Sequence, residues 1–176
     1  MLNKYNMEHG SLAKVPMAFA HKIFADPSRE AVDRKEAIHG NDRFLALSNR
    51  KLPDIMFATC MCVRYQASPK ASHLTVVKQI FRYLRGTTSL GIWYPSGDGF
   101  GLQDYTDADH GGCKLDRKST SGGCQFLGDR LVSWTSKKQS CVSLSTAESE
   151  YIVAASCYSQ VLWMTSQLLD YVYPMK

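Results

Sequence analysis

Apolar positions change their spacing along the chain, and each change predicts a different kind of element. From residue 1 to about 54, short apolar pieces are broken at Gly10, Pro16, Pro27, Gly40 and Pro53, and no helical or alternating period is sustained. Weakly packed structure is expected there. Near Pro53 the pattern tightens: Ile55 to Val63 is apolar, Pro69 interrupts, and Leu74, Val77, Ile80, Phe81 and Leu84 recur at helical spacing until Gly86 ends the run. This predicts an amphipathic helix whose other face carries Lys78, Arg82 and Arg85. Past Gly86 the period becomes extended. Leu90 to Tyr94 and Phe100 to Asp107 read as strands around the turn-rich Pro95-Ser-Gly-Asp-Gly99, and Gly122 to Leu127 and Leu131 to Thr135 read as a second pair joined through Gly128-Asp-Arg130. At Ser145 a long helix begins, with Ser145-Thr-Ala-Glu148 as its capping box and Ala147, Tyr151, Ala154, Tyr158, Leu162 and Leu169 as its apolar face. The order predicts a mixed α/β (α+β) chain: a helical segment, then an antiparallel three- to four-stranded sheet, then a long helix.

Composition narrows the class. At 176 residues, 44% hydrophobic and 21% charged, the chain has room for one domain plus appendages. Its mean hydropathy of −0.25, with no long charge-free apolar run, predicts a soluble protein without a membrane span. A net charge of +5 admits a polyanionic partner without identifying one. Between Ile55 and Gly97 there are five Lys or Arg and no acid, so the basic helix face is either a solvated surface or a track for a phosphate backbone. Six cysteines lie in mostly apolar stretches with no signal peptide ahead of them, which reads as reduced thiols in an intracellular protein. Cys60-Met-Cys62 is too tightly spaced for a zinc knuckle and lacks a second ligand pair.

Two acidic groups stand out as candidate chemistry. In Tyr105-Thr-Asp107-Ala-Asp109-His110-Gly-Gly112, a strand ends on carboxylates and passes into a glycine turn. Residues 107 and 109 share a face of an extended segment, so they either gather around a cation or satisfy donors within the turn. The second group is Glu148-Ser-Glu150. Glu148 is explained as the partner of the Ser145 cap, whereas Glu150 lacks such a role and is the carboxylate expected to point back toward the sheet.

Five ordered blocks, Tyr-Thr-Asp-Ala-Asp-His-Gly-Gly-Cys (105–113), Asp-Arg-Lys-Ser-Thr-Ser-Gly (116–122), Gln-Phe-Leu-Gly (125–128), Val-Ser-Trp-Thr-Ser-Lys-Lys-Gln (132–139) and Leu-Ser-Thr-Ala-Glu-Ser-Glu-Tyr (144–151), closely resemble the ribonuclease H region of copia-type retrotransposon Pol polyproteins. Leu-Pro-Asp-Ile-Met-Phe (52–57) and the helical run 72–87 resemble the family's segment joining reverse transcriptase to ribonuclease H, and residues 2–17 resemble the polymerase tail. Between about 34 and 51 the likeness lapses. The resemblance implies a division into polymerase tail or linker (1–54), helical connection (55–87) and an incomplete ribonuclease H-like domain (88–176). It also implies Asp107 and Glu150 as catalytic residues and as ligands of Mg2+, an RNA·DNA hybrid as partner, and hydrolysis of its RNA strand, with the 2′-hydroxyl distinguishing the strands. Asp109 resembles a residue beside the site.

The same resemblance implies a further strand with another Asp, and then a fourth acidic ligand. The sequence ends at Lys176 before either, and Asp170 lies about 30 Å along the helix from Glu150. Weak or absent magnesium binding, and slow or no hydrolysis, are therefore expected. The paired aspartates of a polymerase are also missing, so no polymerase activity is expected. An open sheet edge would favour self-association. Three readings follow: a ribonuclease H-type remnant, a non-catalytic nucleic-acid-binding module using Lys78, Arg82 and Arg85, and a translated pseudogene product.

Overall fold

A computed structural model describes residues 11–18, 23, 28, 30–32, 52–97, 99–113 and 115–171. The stretch 34–51, where the likeness lapses, lies outside the described residues. The chain divides into two compact units, Met1–Gly91 and Ile92–Lys176.

In the first unit a 3-10 turn, Pro53–Ile55, leads into α1 (Met56–Val63), and α2 spans Ala71–Gly86. Proline suits the turn because its fixed φ matches a helical start and its missing N–H is not needed there. Helix α2 begins three residues ahead of the first periodic leucine because His73 caps it. The His73 Nδ1 accepts from the Lys70 N–H at 3.1 Å, and its buried ring stacks on Tyr65 with centroids 4.7 Å apart. Ile55, Ala58, Met61 and Cys62 meet Val76, Val77, Ile80 and Phe81 in one core. Before residue 52 the described residues other than Ile23 are exposed or half-buried, as weak packing leaves them, and a few contacts anchor them to this core. Ile23 is buried in this core, Ala13 and Met17 lie against it, and the Tyr65 hydroxyl donates to the Ile23 carbonyl at 3.4 Å. Val32 N–H donates to the Pro69 carbonyl and Ala71 N–H to the Glu30 carbonyl, an antiparallel bridge. Isolated side chains and carbonyls are held by the helices here, and such tertiary contacts leave no period in the sequence.

In the second unit β1 (Leu102–Asp109), β2 (Thr120–Leu127) and β3 (Arg130–Lys138) form an antiparallel sheet in the order β1-β2-β3, and α3 (Thr146–Asp170) packs on β1 and β2. Leu127 pairs with Arg130 across Gly128-Asp129, and Gly128 has φ +59°. A Cβ on Gly128 would come within 2.1 Å of the Gly99 carbonyl oxygen, so glycine is required there twice over.

Two expectations are overturned. Leu90 to Tyr94 forms no strand. It pairs with no strand of the three-stranded sheet: Leu90 and Trp93 are exposed, and the Tyr94 side chain alone reaches β3, its hydroxyl donating to the Leu131 carbonyl at 2.9 Å. The loop after it is held by Arg130, whose guanidinium donates to the carbonyls of Pro95 (2.8 Å), Gly97 (2.5 Å) and Gly99 (3.0 Å). The second correction concerns α3. Its predicted apolar face, Ala147, Tyr151, Ala154, Tyr158, Leu162 and Leu169, is exposed, and Ser149, Val153 and Cys157 are buried instead. The reason lies on β2: a Cβ on Gly123 would come within 2.6 Å of Cys157 Sγ. A glycine floor lets the helix approach closely, and close approach selects small side chains.

Candidate active site

Strand β1 delivers Asp107, paired in register with Gly122, and next to it Ala108, paired with Ser121. Helix α3 delivers Glu150 in its second turn. The two elements meet: the Ala108 N–H donates to Glu150 Oε1 at 3.3 Å. Glu150 is thus brought to the residue adjoining Asp107, and both carboxylates are exposed to solvent.

Among the other acids of this unit, Glu148, Asp104 and Asp116 have structural partners. Glu148 completes the cap, with its N–H donating to Ser145 Oγ at 3.1 Å and its Oε2 accepting from the Leu144 N–H at 2.6 Å. The carboxyl of Asp109 folds over Gly112, where a Cβ would come within 1.8 Å of Oδ2. Asp104 accepts from Gln125 Nε2 at 2.7 Å. Asp116 pairs with Lys138; burial pushes its carboxyl up, but hydrogen bonds from Lys138, Cys113 and the Lys118 N–H outweigh this and hold it well below the usual carboxylate range. Asp170 ends α3, about 30 Å from Glu150 along an unbroken helix.

Among the described residues no three His, Cys, Asp or Glu side chains form a group able to hold a metal ion. Asp107 and Glu150 offer hard oxygen donors of the kind magnesium takes, but two carboxylates fall short of a two-ion site. Burial first, and then the charge of Asp104, push the Cys124 and Cys157 thiols up, so both stay neutral. All six cysteines are free, and Cys141 is exposed. Lys78, Arg82 and Arg85 are half-buried on α2, in the other unit.

What sequence reasoning missed is the residue that seats the helix. Gln139, buried just past β3, donates through Nε2 to Ser121 Oγ and to the Ser149 carbonyl, both at 3.0 Å, and accepts from Ser143 Oγ at 3.0 Å. Ser121 lies on β2, paired with Ala108 of β1, and Ser149 precedes Glu150, so Gln139 ties the helix backbone that carries Glu150 to the strand beside the one that carries Asp107. A glutamine placed among serines between a strand and a capping box was the available signal.

The chain is similar to the Retrovirus-related Pol polyprotein from transposon RE1 of Arabidopsis thaliana: 34% identical over 172 residues, covering 97% of this chain and 12% of that protein. The corresponding protein from transposon RE2 of the same plant is 33% identical over 172 residues, with 97% and 12% covered. That from transposon TNT 1-94 of Nicotiana tabacum is 32% identical over 172 residues, with 93% and 13% covered. The chain therefore spans only 12–13% of the length of these curated relatives. No family model and no solved structure matches it.

Proposed function

Because the chain belongs to the copia-type, retrovirus-related Pol polyproteins of transposons, we propose that its second unit is a ribonuclease H-like region of such a polyprotein, with Asp107 and Glu150 as the catalytic carboxylates. The observation that carries the reading is the Ala108 to Glu150 hydrogen bond, which unites a strand and a helix 42 residues apart in sequence. The substrate is the RNA strand of an RNA·DNA hybrid. Magnesium, when bound, would stabilise charge on the phosphodiester and lower the pKa of a water. Asp107 and Glu150 are the residues that would hold it, through exposed oxygens that also concentrate negative charge at the end of β1. With no third ligand grouped with these two carboxylates among the described residues, weak binding and slow or absent hydrolysis are expected. Six free thiols support an intracellular setting, and among the described residues no helix is long and apolar enough to cross a membrane.

The test is cleavage of the RNA strand of a hybrid in magnesium, alongside salt-titrated binding to the same hybrid. The expected result is salt-sensitive binding with slow cleavage or none, any residual cleavage disappearing in Asp107→Asn. Rapid cleavage would overturn the two-carboxylate account. Cleavage that survives both Asp107→Asn and Glu150→Gln would overturn the site.

A second reading, nucleic-acid binding without catalysis, is favoured by one feature. Lys78, Arg82 and Arg85 lie partly accessible on a helix whose opposite side is buried core. In that case Lys78→Ala and Arg82→Ala weaken hybrid binding and flatten its salt dependence, while Asp107→Asn leaves binding unchanged.

A further inference from the structure

We propose that α3 is a self-association surface, through which two copies of the chain pair antiparallel along the helix face turned away from the sheet. That face has a definite spacing. Tyr151, Ala155, Tyr158, Leu162, Thr165 and Leu169 follow one another at alternating steps of four and three residues, the repeat of a seam between helices. All are exposed except Thr165, which is half-buried, while the opposite side of the same helix is closed against β1 and β2.

The size order along the seam is self-complementary. In an antiparallel pair centred on Gln160, Tyr151 meets Leu169 of the other copy, Ala155 meets Thr165, and Tyr158 meets Leu162. A small pair then sits between two large ones on each side of the two-fold axis, as an isologous interface requires. A parallel pair would set each tyrosine against itself and align the two helix dipoles unfavourably. Thr146–Asp170 contains no Lys or Arg, and its acids, Glu148, Glu150 and Asp170, stand at the two ends, outside the seam residues. Antiparallel pairing brings Glu150 level with Asp170 of the other copy, an exposed like-charge approach that salt screens and that further weakens the pair.

The area sets the strength. Tyr151, Tyr158, Leu162 and Leu169 are 78%, 64%, 52% and 60% exposed. At roughly 200 Å² per large side chain they offer about 500 Å² per copy. Two copies reach the threshold of about 1,000 Å² below which specific interfaces become transient, so the dimer is weak and concentration-dependent.

Sedimentation of the full chain across the micromolar range tests the proposal. A monomer–dimer equilibrium is expected, and Leu162→Glu weakens it by about tenfold or more, because an unpaired charge must enter the seam. Ala155→Arg serves as a second exposed-site variant should the first misfold, and circular dichroism reports the fold of each. Register is read by oxidative cross-linking and peptide mapping. Mixed Ala155→Cys and Thr165→Cys chains form the linked heterodimer, and Ala155→Cys by itself does not link at that position. A chain that stays monomeric throughout, a dimer indifferent to both charged variants, as pairing through a sheet edge would give, or self-linking at position 155 would each overturn the proposal.

Discussion

Replacing Gln139 with alanine removes a side chain that bonds to β2, to the α3 backbone and to the segment leading into α3. Three hydrogen bonds disappear, to Ser121 Oγ, the Ser149 carbonyl and Ser143 Oγ. At about 1 kcal/mol net for each, the loss is about 3 kcal/mol. The Ser149 carbonyl can keep its helical partner, which holds the figure near this value rather than at the higher cost of several orphaned groups. A unit of this size is stabilised by roughly 4–12 kcal/mol, so the variant forfeits a large share of its margin. Urea unfolding followed by circular dichroism measures the loss, and Gln139→Leu, which retains the volume, should lose a similar amount. Gln139→Glu adds a pH signature. The introduced carboxyl is buried facing the Ser149 carbonyl, so its folded pKa rises above the unfolded value. The variant is therefore most stable below the unfolded pKa, where the carboxyl can donate, and loses stability as pH rises toward the folded one. A loss below about 1 kcal/mol in Gln139→Ala, or a pH-independent Gln139→Glu, would refute the reasoning that this network seats the helix.

Four further outcomes are expected. Tyr83 donates to Asp54 Oδ2 at 2.5 Å, and that hydrogen bond, with burial and the Asp54 charge, pushes its phenol from 10.0 up to about 12. Its contribution is fully present below pH 10 and lost as pH rises through about 12, so alkaline spectrophotometric titration should show one late tyrosine that Tyr83→Phe abolishes. Alkylation followed by mass spectrometry should modify exposed Cys141 first and Cys62 last, since burial and then Cys60 push the Cys62 thiol up to about 12. Arg130→Lys should cost about 2 kcal/mol, because a lysine cannot serve the Pro95, Gly97 and Gly99 carbonyls together, and proteolysis should accelerate within residues 95–101. Gly112→Ala should displace the Asp109 carboxyl, read as shifted amide signals at Asp109 and Gly112, without abolishing hybrid binding.

Much of the fold is legible in the sequence because its signals are local. The period of Leu74 to Leu84, the glycine turn at Gly128 and the Ser145 cap each specify an element through neighbours in sequence. Glu150 stands out in the sequence because a carboxylate beyond a completed cap has no local role, whereas Asp107 has a turn-capping alternative, and it is the family resemblance that pairs the two. The orientation of α3 was not legible. Its tyrosines and leucines describe a hydrophobic stripe, and the usual inference turns such a stripe inward. Which face turns inward was decided by Gly123 on a different element, and a close floor admits Ser149, Val153 and Cys157 but not Tyr151 or Tyr158. The strand reading of Leu90 to Tyr94 failed for a related reason, since apolar and β-prone residues make a strand only where a neighbouring strand receives them. Gln139 leaves no periodic mark in the sequence because it is a single glutamine, and its importance lies in bonds to residues 18 and 10 positions away.

The central claim, that Asp107 and Glu150 form one site, is tested most directly by titrating the protein with Mn2+ and following paramagnetic broadening of its amide signals. Weak binding is expected, with broadening concentrated around Asp107 to Asp109 and Ser149 to Tyr151 and lost in both Asp107→Asn and Glu150→Gln. Broadening centred elsewhere, or unchanged by either substitution, would contradict it.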